Sequence, residues 1–162
     1  RKCIFFAPAG GGLEPPVLNS PRFNPQKQEN LMSEFSSTIQ NADWKVEKHA
    51  PVIEAPETAK AGEFFTVTAG LGKAIAHPNT VQHYIAWISL YFLPEGAKLP
   101  IQLAHAEFKA HGDSTTDVPG PALTNPSMIA NVKLAKSGTL QAVAYCNIHG
   151  VWQSSKAIAV QA

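Results

Sequence analysis

The chain has 162 residues, with 13 lysines and arginines against 12 aspartates and glutamates, a formal charge of +1. That length suits one domain with a core and is short for two. Near-neutral charge argues against nucleic acid or an anionic membrane as partner, and no apolar run approaches a membrane span. Two cysteines, Cys3 and Cys146, form no disulfide framework and no C-x-x-C metal motif.

The opening "RKCIFFAPAGGG" has a basic start, a short apolar stretch and small residues. The stretch is short for a signal peptide, so a cytoplasmic protein is the expectation, with a periplasmic or exported one as the alternative. "GGGLEPPVLNSPRFNP" mixes glycine and proline too densely for a regular element. A helix is predicted next, over "NPQKQENLMSEFSSTIQ". Asn24 suits its N-cap and Pro25 its first position. Leu31, Phe35 and Ile39, widened by Met32, form an apolar stripe that should dock on a neighbour.

From about residue 44 the pattern becomes short β-branched and aromatic runs: "WKVEKHAPVI", "EFFTVTAG", "HYIAWISLYF", "IQLAHAEFK", "IANVKLA", "TLQAVAYC" and "KAIAVQ". Seven such runs with no helix between them predict an all-β, immunoglobulin-like seven-stranded sandwich. Residues 1–42 form an N-terminal extension with one helix, and 43–162 form the β domain. "HYIAWISLYF" is apolar on alternate and intervening positions, so it should lie mid-sheet, covered on both faces. "HGDSTTDVPGPALTNPS" reads as a long surface loop.

Six histidines are present, and a lone histidine in a β domain is more often a packed or surface imidazole than a ligand. Position changes that weighting. His49, His77, His83 and His149 each fall at the end of a predicted strand or in the turn beside one. His105 falls inside a strand, and His111 precedes a Gly-Asp turn. Cys146 and His149 make a C-x-x-H pair that a turn folds towards one point, although a buried cysteine is commonly an inert small hydrophobe. In "HPNTVQHYIAWI", a turn followed by a strand brings His77 and His83 to one side. In "WKVEKHAPVI", an extended backbone points Glu47 and His49 the same way, and Lys48 joins them only if the stretch turns. The bland reading of Glu47 and Lys48 is a solvated charge pair.

In this order and at these separations, "EKHAPVI", "HPNTVQHYIAWI", "EFKAHG" and "YCNIHGVW" resemble the superoxide reductases of the neelaredoxin and desulfoferrodoxin family, over residues 43–162. The resemblance implies one mononuclear non-haem iron, Fe(2+)/Fe(3+), held by His49, His77, His83 and His149 with Cys146 on the axis. It implies Glu47 as a further ligand in the ferric state only, and Lys48 as the cation beside the open position. The chain departs from the family in reading His83-Tyr84 where many members read two histidines, the second of which is no ligand. Ala50 and Gln153 are further departures away from the chemistry. Cys3 alone cannot build the four-cysteine domain of two-iron members, so a single-iron, neelaredoxin-type protein is implied.

The implied activity is one-electron reduction of superoxide to hydrogen peroxide, with electrons from a small donor such as rubredoxin and assembly as a homotetramer. Donor type alone leaves iron, copper or zinc open. Four imidazoles with a thiolate exceed zinc's usual four ligands, and a blue-copper site would use two histidines and a methionine. A non-catalytic electron-transfer metalloprotein competes with this reading, as does an immunoglobulin-like binding module with incidental histidines.

Overall fold

The structure, a computed structural model, describes residues 34–162. Among them are eight strands: β1 (Val52–Glu54), β2 (Thr58–Lys60), β3 (Phe64–Gly70), β4 (Ile85–Pro94), β5 (Ile101–Glu107), β6 (Ser127–Lys133), β7 (Gly138–Cys146) and β8 (Gly150–Gln161). They form a three-stranded sheet, β1-β3-β6, and a five-stranded sheet, β2-β8-β7-β4-β5. Every pairing is antiparallel except β2 on β8.

The inward positions follow the two-residue period of a strand. Ile88, Leu90 and Phe92 of β4 and Leu140, Ala142, Ala144 and Cys146 of β7 face Ile53, Val67, Ala69 and Val132 of the smaller sheet. Burial of this apolar set, at roughly 25 cal/mol per Å² removed from water, is the main force holding the two sheets together.

The all-β two-sheet expectation holds, with differences at the edges. "WKVEKHAPVI" is not one strand: residues 44–46 and 48–49 are turns, and only Val52–Glu54 is extended. Asp43 causes this, because its side chain accepts the Lys45 N–H and its carbonyl accepts those of Val46 and Glu47. The last strand begins at Gly150 rather than Lys156, carried through "SS" by its pairing with β7. β2 is a three-residue addition whose sequence shows no strand pattern, made by pairing with β8.

β4 is mid-sheet as expected, but only its inner face is fully covered. On the outer face Trp87 stacks on Tyr145 at 5.9 Å and both stay half-exposed, since the small sheet covers one side only. The predicted helix lies largely outside the described residues. Residues 34–38 are helical, and there Phe35 is exposed rather than docked.

Antiparallel pairing gathers three chain segments at one end of the sandwich. Val52 at the start of β1 pairs with Gly70 at the end of β3. Ile85 at the start of β4 pairs with Cys146 at the end of β7. Residues just before β1, between β3 and β4, and just after β7 therefore meet there.

Candidate metal centre

Cys146 is the last inward position of β7 and is fully buried. The three residues after it turn the chain, and Gly150, at φ +76, adopts the left-handed backbone that lets β8 return directly. The turn carries His149 back over the sulfur, with Nδ1 3.4 Å from Cys146 Sγ. His83 precedes β4, and its Nε2 is 3.1 Å from the same His149 nitrogen. His49 and His77 close the group, their ring centroids 4.9 Å apart. One donor atom from each of His49, His77, His83 and Cys146 lies within 4.8 Å of the others.

Such separations suit an ion between the donors. Ligands at about 2.1–2.3 Å from a common ion and at right angles lie roughly 3 Å apart, and opposite ones between 4 and 5 Å. Hydrogen bonding decides which nitrogens face the centre. His49 Nδ1–H donates to Glu47 Oε1 at 2.6 Å, and His77 Nδ1–H donates to the Pro78 carbonyl at 2.6 Å. With those hydrogens on Nδ1, both Nε2 atoms are bare acceptors, and both are buried without any hydrogen-bonding partner. Two orphaned lone pairs beside a buried thiol are costly unless something accepts them. A cation does, so the residues present fit a metal.

Burial holds these imidazoles in the neutral, ligating form. It pushes His77 down to about 4, against an opposing pull from the Pro78 carbonyl. His49 and His83 are lowered as well, again chiefly by burial. The Lys48 charge adds to the lowering at all three, which places a positive potential over the cluster. Glu47 is lowered, first by the backbone N–H of His49, which its Oε1 accepts at 3.0 Å.

The structure thus brings His49, His77, His83, Cys146 and His149 together. Lys48 is half-buried in the turn that the Ala50 N–H closes on the Glu47 carbonyl, and its charge reaches His49, His77 and His83. Glu47 lies on the Nδ1 edge of His49, away from the Nε2 that faces the centre. His105 and His111 lie outside the cluster: His105 Nδ1 is 2.7 Å from Ser89 Oγ, and His111 faces Asn79.

Three supporting residues escape a reading of the sequence alone. Asn147, inside the C-x-x-H turn, straddles His83: its Oδ1 accepts the Tyr84 N–H and its Nδ2 donates to the Gln82 carbonyl, both at 2.9 Å. Trp152 stacks on His49 at 5.2 Å and donates Nε1–H to the His149 carbonyl. Gln40 donates its side-chain amide to that same carbonyl. Their position inside "YCNIHGVW" was the available signal for the first two.

Fold and donors together define a β-sandwich with a cysteine–histidine cluster at one end that fits a metal ion. A family model described as Desulfoferrodoxin matches residues 41–155. A neelaredoxin of Megalodesulfovibrio gigas is 48% identical over 124 residues, covering 76% of this chain and 95% of the relative. A superoxide reductase of Pyrococcus furiosus is 46% identical over 125 residues, 74% and 95% of the two chains. The reduced-form structure of a superoxide reductase (neelaredoxin) from Archaeoglobus fulgidus superposes with a TM-score of 0.66 at 46% identity, covering 75% of this chain and 98% of that one. This chain belongs to the desulfoferrodoxin family.

Proposed function

We infer that the protein is a superoxide reductase, converting superoxide, one electron and two protons into hydrogen peroxide at one iron ion. The observation that carries this is the pair of buried, unpartnered Nε2 atoms on His49 and His77 beside His83 and Cys146, in a chain of this family. His49, His77, His83 and His149 would hold the ion through nitrogen and Cys146 through sulfur, and the bound iron supplies the electron. Thiolate donation from Cys146 favours the higher oxidation state.

The chain's own residues do the rest. Lys48 attracts the anion towards the cluster, an effect that salt screens. Glu47 and the Pro78 carbonyl accept the Nδ1–H of His49 and of His77, which fixes the two rings and raises the basicity of their Nε2 atoms. Glu47 is also the residue for the ferric state, and reaching the ion requires it to release both N–H groups of His49. The buried lining excludes water from the sulfur side.

A small reductant of the rubredoxin kind returning the centre to its reduced state, and assembly as a homotetramer, complete the proposal. Residues 43–162 would be the iron-binding domain and 1–42 its extension. No helix among the described residues is long and apolar enough to cross a membrane.

The experiment is consumption of superoxide by the anaerobically reduced protein, followed by pulse radiolysis with peroxide and dioxygen both assayed. Stoichiometric peroxide without dioxygen is expected. Electron transfer to a partner with no superoxide consumption would instead favour a simple carrier, and a purified protein without iron would end both readings.

A further inference from the structure

The connection between β5 and β6 contains a buried histidine that the metal centre does not use. His111 is 6% exposed. Its ring lies flat on Tyr84, with centroids 3.8 Å apart at 18°, and its backbone N–H donates to Asp113 Oδ2. Both ring nitrogens face oxygens: Nδ1 is 2.8 Å from Asn79 Oδ1, and Nε2 is 3.0 Å from the Phe108 carbonyl. Asn79 is oriented by its Nδ2, which donates to the Thr124 carbonyl at 3.0 Å and leaves Oδ1 facing His111. A hydrogen on His111 Nδ1 makes the first contact a bond to Asn79 Oδ1, and a hydrogen on Nε2 does the same for the Phe108 carbonyl.

Asn79 stands two residues after His77 and four before His83. The segment it is tied to is closed on itself by backbone hydrogen bonds. Thr124 N–H donates to the Ala110 carbonyl at 2.7 Å, Gly112 N–H to Ala122 at 3.0 Å and Gly120 N–H to Gly112 at 2.8 Å. At Gly120 a Cβ would fall 2.5 Å from the Asp113 carbonyl oxygen, so that crossing admits no side chain. Asn79 is thus gripped from two adjacent points of a closed loop, His111 Nδ1 and the Thr124 carbonyl.

We propose that His111 is a positioning residue for the metal centre: by donating Nδ1–H to Asn79 it holds the loop that carries His77 and His83 at the spacing one ion needs. This rests on the reading of those histidines as ligands. A loop fixed in advance loses less conformational entropy when the ion binds, and the gain appears as affinity. His111 itself touches neither ion nor substrate.

Side-chain shape supplies the test. Asparagine places its Nδ2 where histidine has Nδ1, whereas glutamine places its Nε2 where histidine has Nε2. His111→Asn keeps the donor to Asn79, and His111→Gln keeps only the donor to Phe108. The readouts are the ferrous dissociation constant, by anaerobic competition with a chelator, and the melting temperature of the metal-free chains. His111→Gln should weaken ferrous binding about tenfold, the scale of lost support behind a ligand. His111→Asn should retain most of the affinity despite leaving the larger packing gap. Asn79→Ala should match His111→Gln, and the double variant should be no worse than either single one.

Equal losses in the asparagine and glutamine variants would reduce His111 to packing and overturn the proposal. Should the variants fail to fold, the unvaried chain decides: loaded with zinc, nitrogen-resolved NMR should find the hydrogen on His111 Nδ1, and a bare Nδ1 overturns the proposal. Failure of the unvaried chain to bind iron at all would strike the metal reading instead.

Discussion

Glu47 holds both N–H groups of His49 with a single carboxylate oxygen, 2.6 Å from Nδ1 and 3.0 Å from the backbone nitrogen. The arrangement orients the ring and settles its tautomer, so that Nε2 is left to face His77 and the sulfur. The same oxygen cannot stay on His49 and reach the far edge of the ring, so the role proposed for Glu47 in the ferric state requires it to leave His49. Glu47→Ala is expected to weaken ferrous binding about tenfold and to change the ferric absorption spectrum. The second-order rate with superoxide should stay nearly intact. Chelator competition, spectroscopy and pulse radiolysis on the one variant check all three, and an unchanged ferric spectrum would remove Glu47 as a ligand of the oxidised centre.

Lys48 acts through charge, so its contribution should depend on salt. Lys48→Ala is expected to slow superoxide binding several-fold at low ionic strength, and the gap should narrow as the Debye length shrinks to about 8 Å near 0.15 M. Rates of parent and variant that fall in parallel with salt would exclude steering by this side chain.

His77 makes the metal-free protein acid-sensitive. Its imidazole protonates at about 4 in the folded chain against about 6.5 when unfolded. Between those values the unfolded state binds more protons, so stability must fall as pH falls. Above about 6.5 neither state is protonated there and the contribution is flat. Melting temperatures of the apoprotein should therefore drop from pH 6.5 towards 4, more steeply than in His77→Gln. Identical slopes in the two proteins would contradict the buried, neutral assignment.

Asn147 ties the C-x-x-H turn to the strand entrance at His83 through two side-chain hydrogen bonds. Asn147→Ala should cost about 1–2 kcal/mol, counting about 1 kcal/mol net for each bond. The matching drop in melting temperature is roughly 2–8 °C for a chain of this size. Loss of iron on dilution should also be faster than in the parent, because His83 and the Cys146–His149 turn would no longer move as one unit. A stability loss with unaltered iron release would confine Asn147 to the fold.

Much of the architecture could be read from residue periodicity. Alternation along "TLQAVAYC" places Leu140, Ala142, Ala144 and Cys146 on the covered face, and the strand bears this out. The short strands failed this test. β2 has no pattern of its own, and "WKVEKHAPVI" lost most of its expected strand to a turn organised by one aspartate. Both outcomes depend on backbone partners distant in sequence or on a local side-chain bond that competes with extension.

The identity of the donors belongs to residue chemistry: only imidazole nitrogen and thiolate sulfur offer this set, and their order along the chain suffices to name the family. Which atom of each imidazole turns inward is another matter. It follows from Glu47 Oε1 and the Pro78 carbonyl taking the Nδ1 hydrogens, and from β4 and β7 ending side by side. The supporting contacts of Asn147, Trp152 and His111 arise in the same way, between segments that come together only when the sheets pair. Hydrogen bonds and lone-pair directions act over about 3 Å, a distance that spacing along a chain cannot specify.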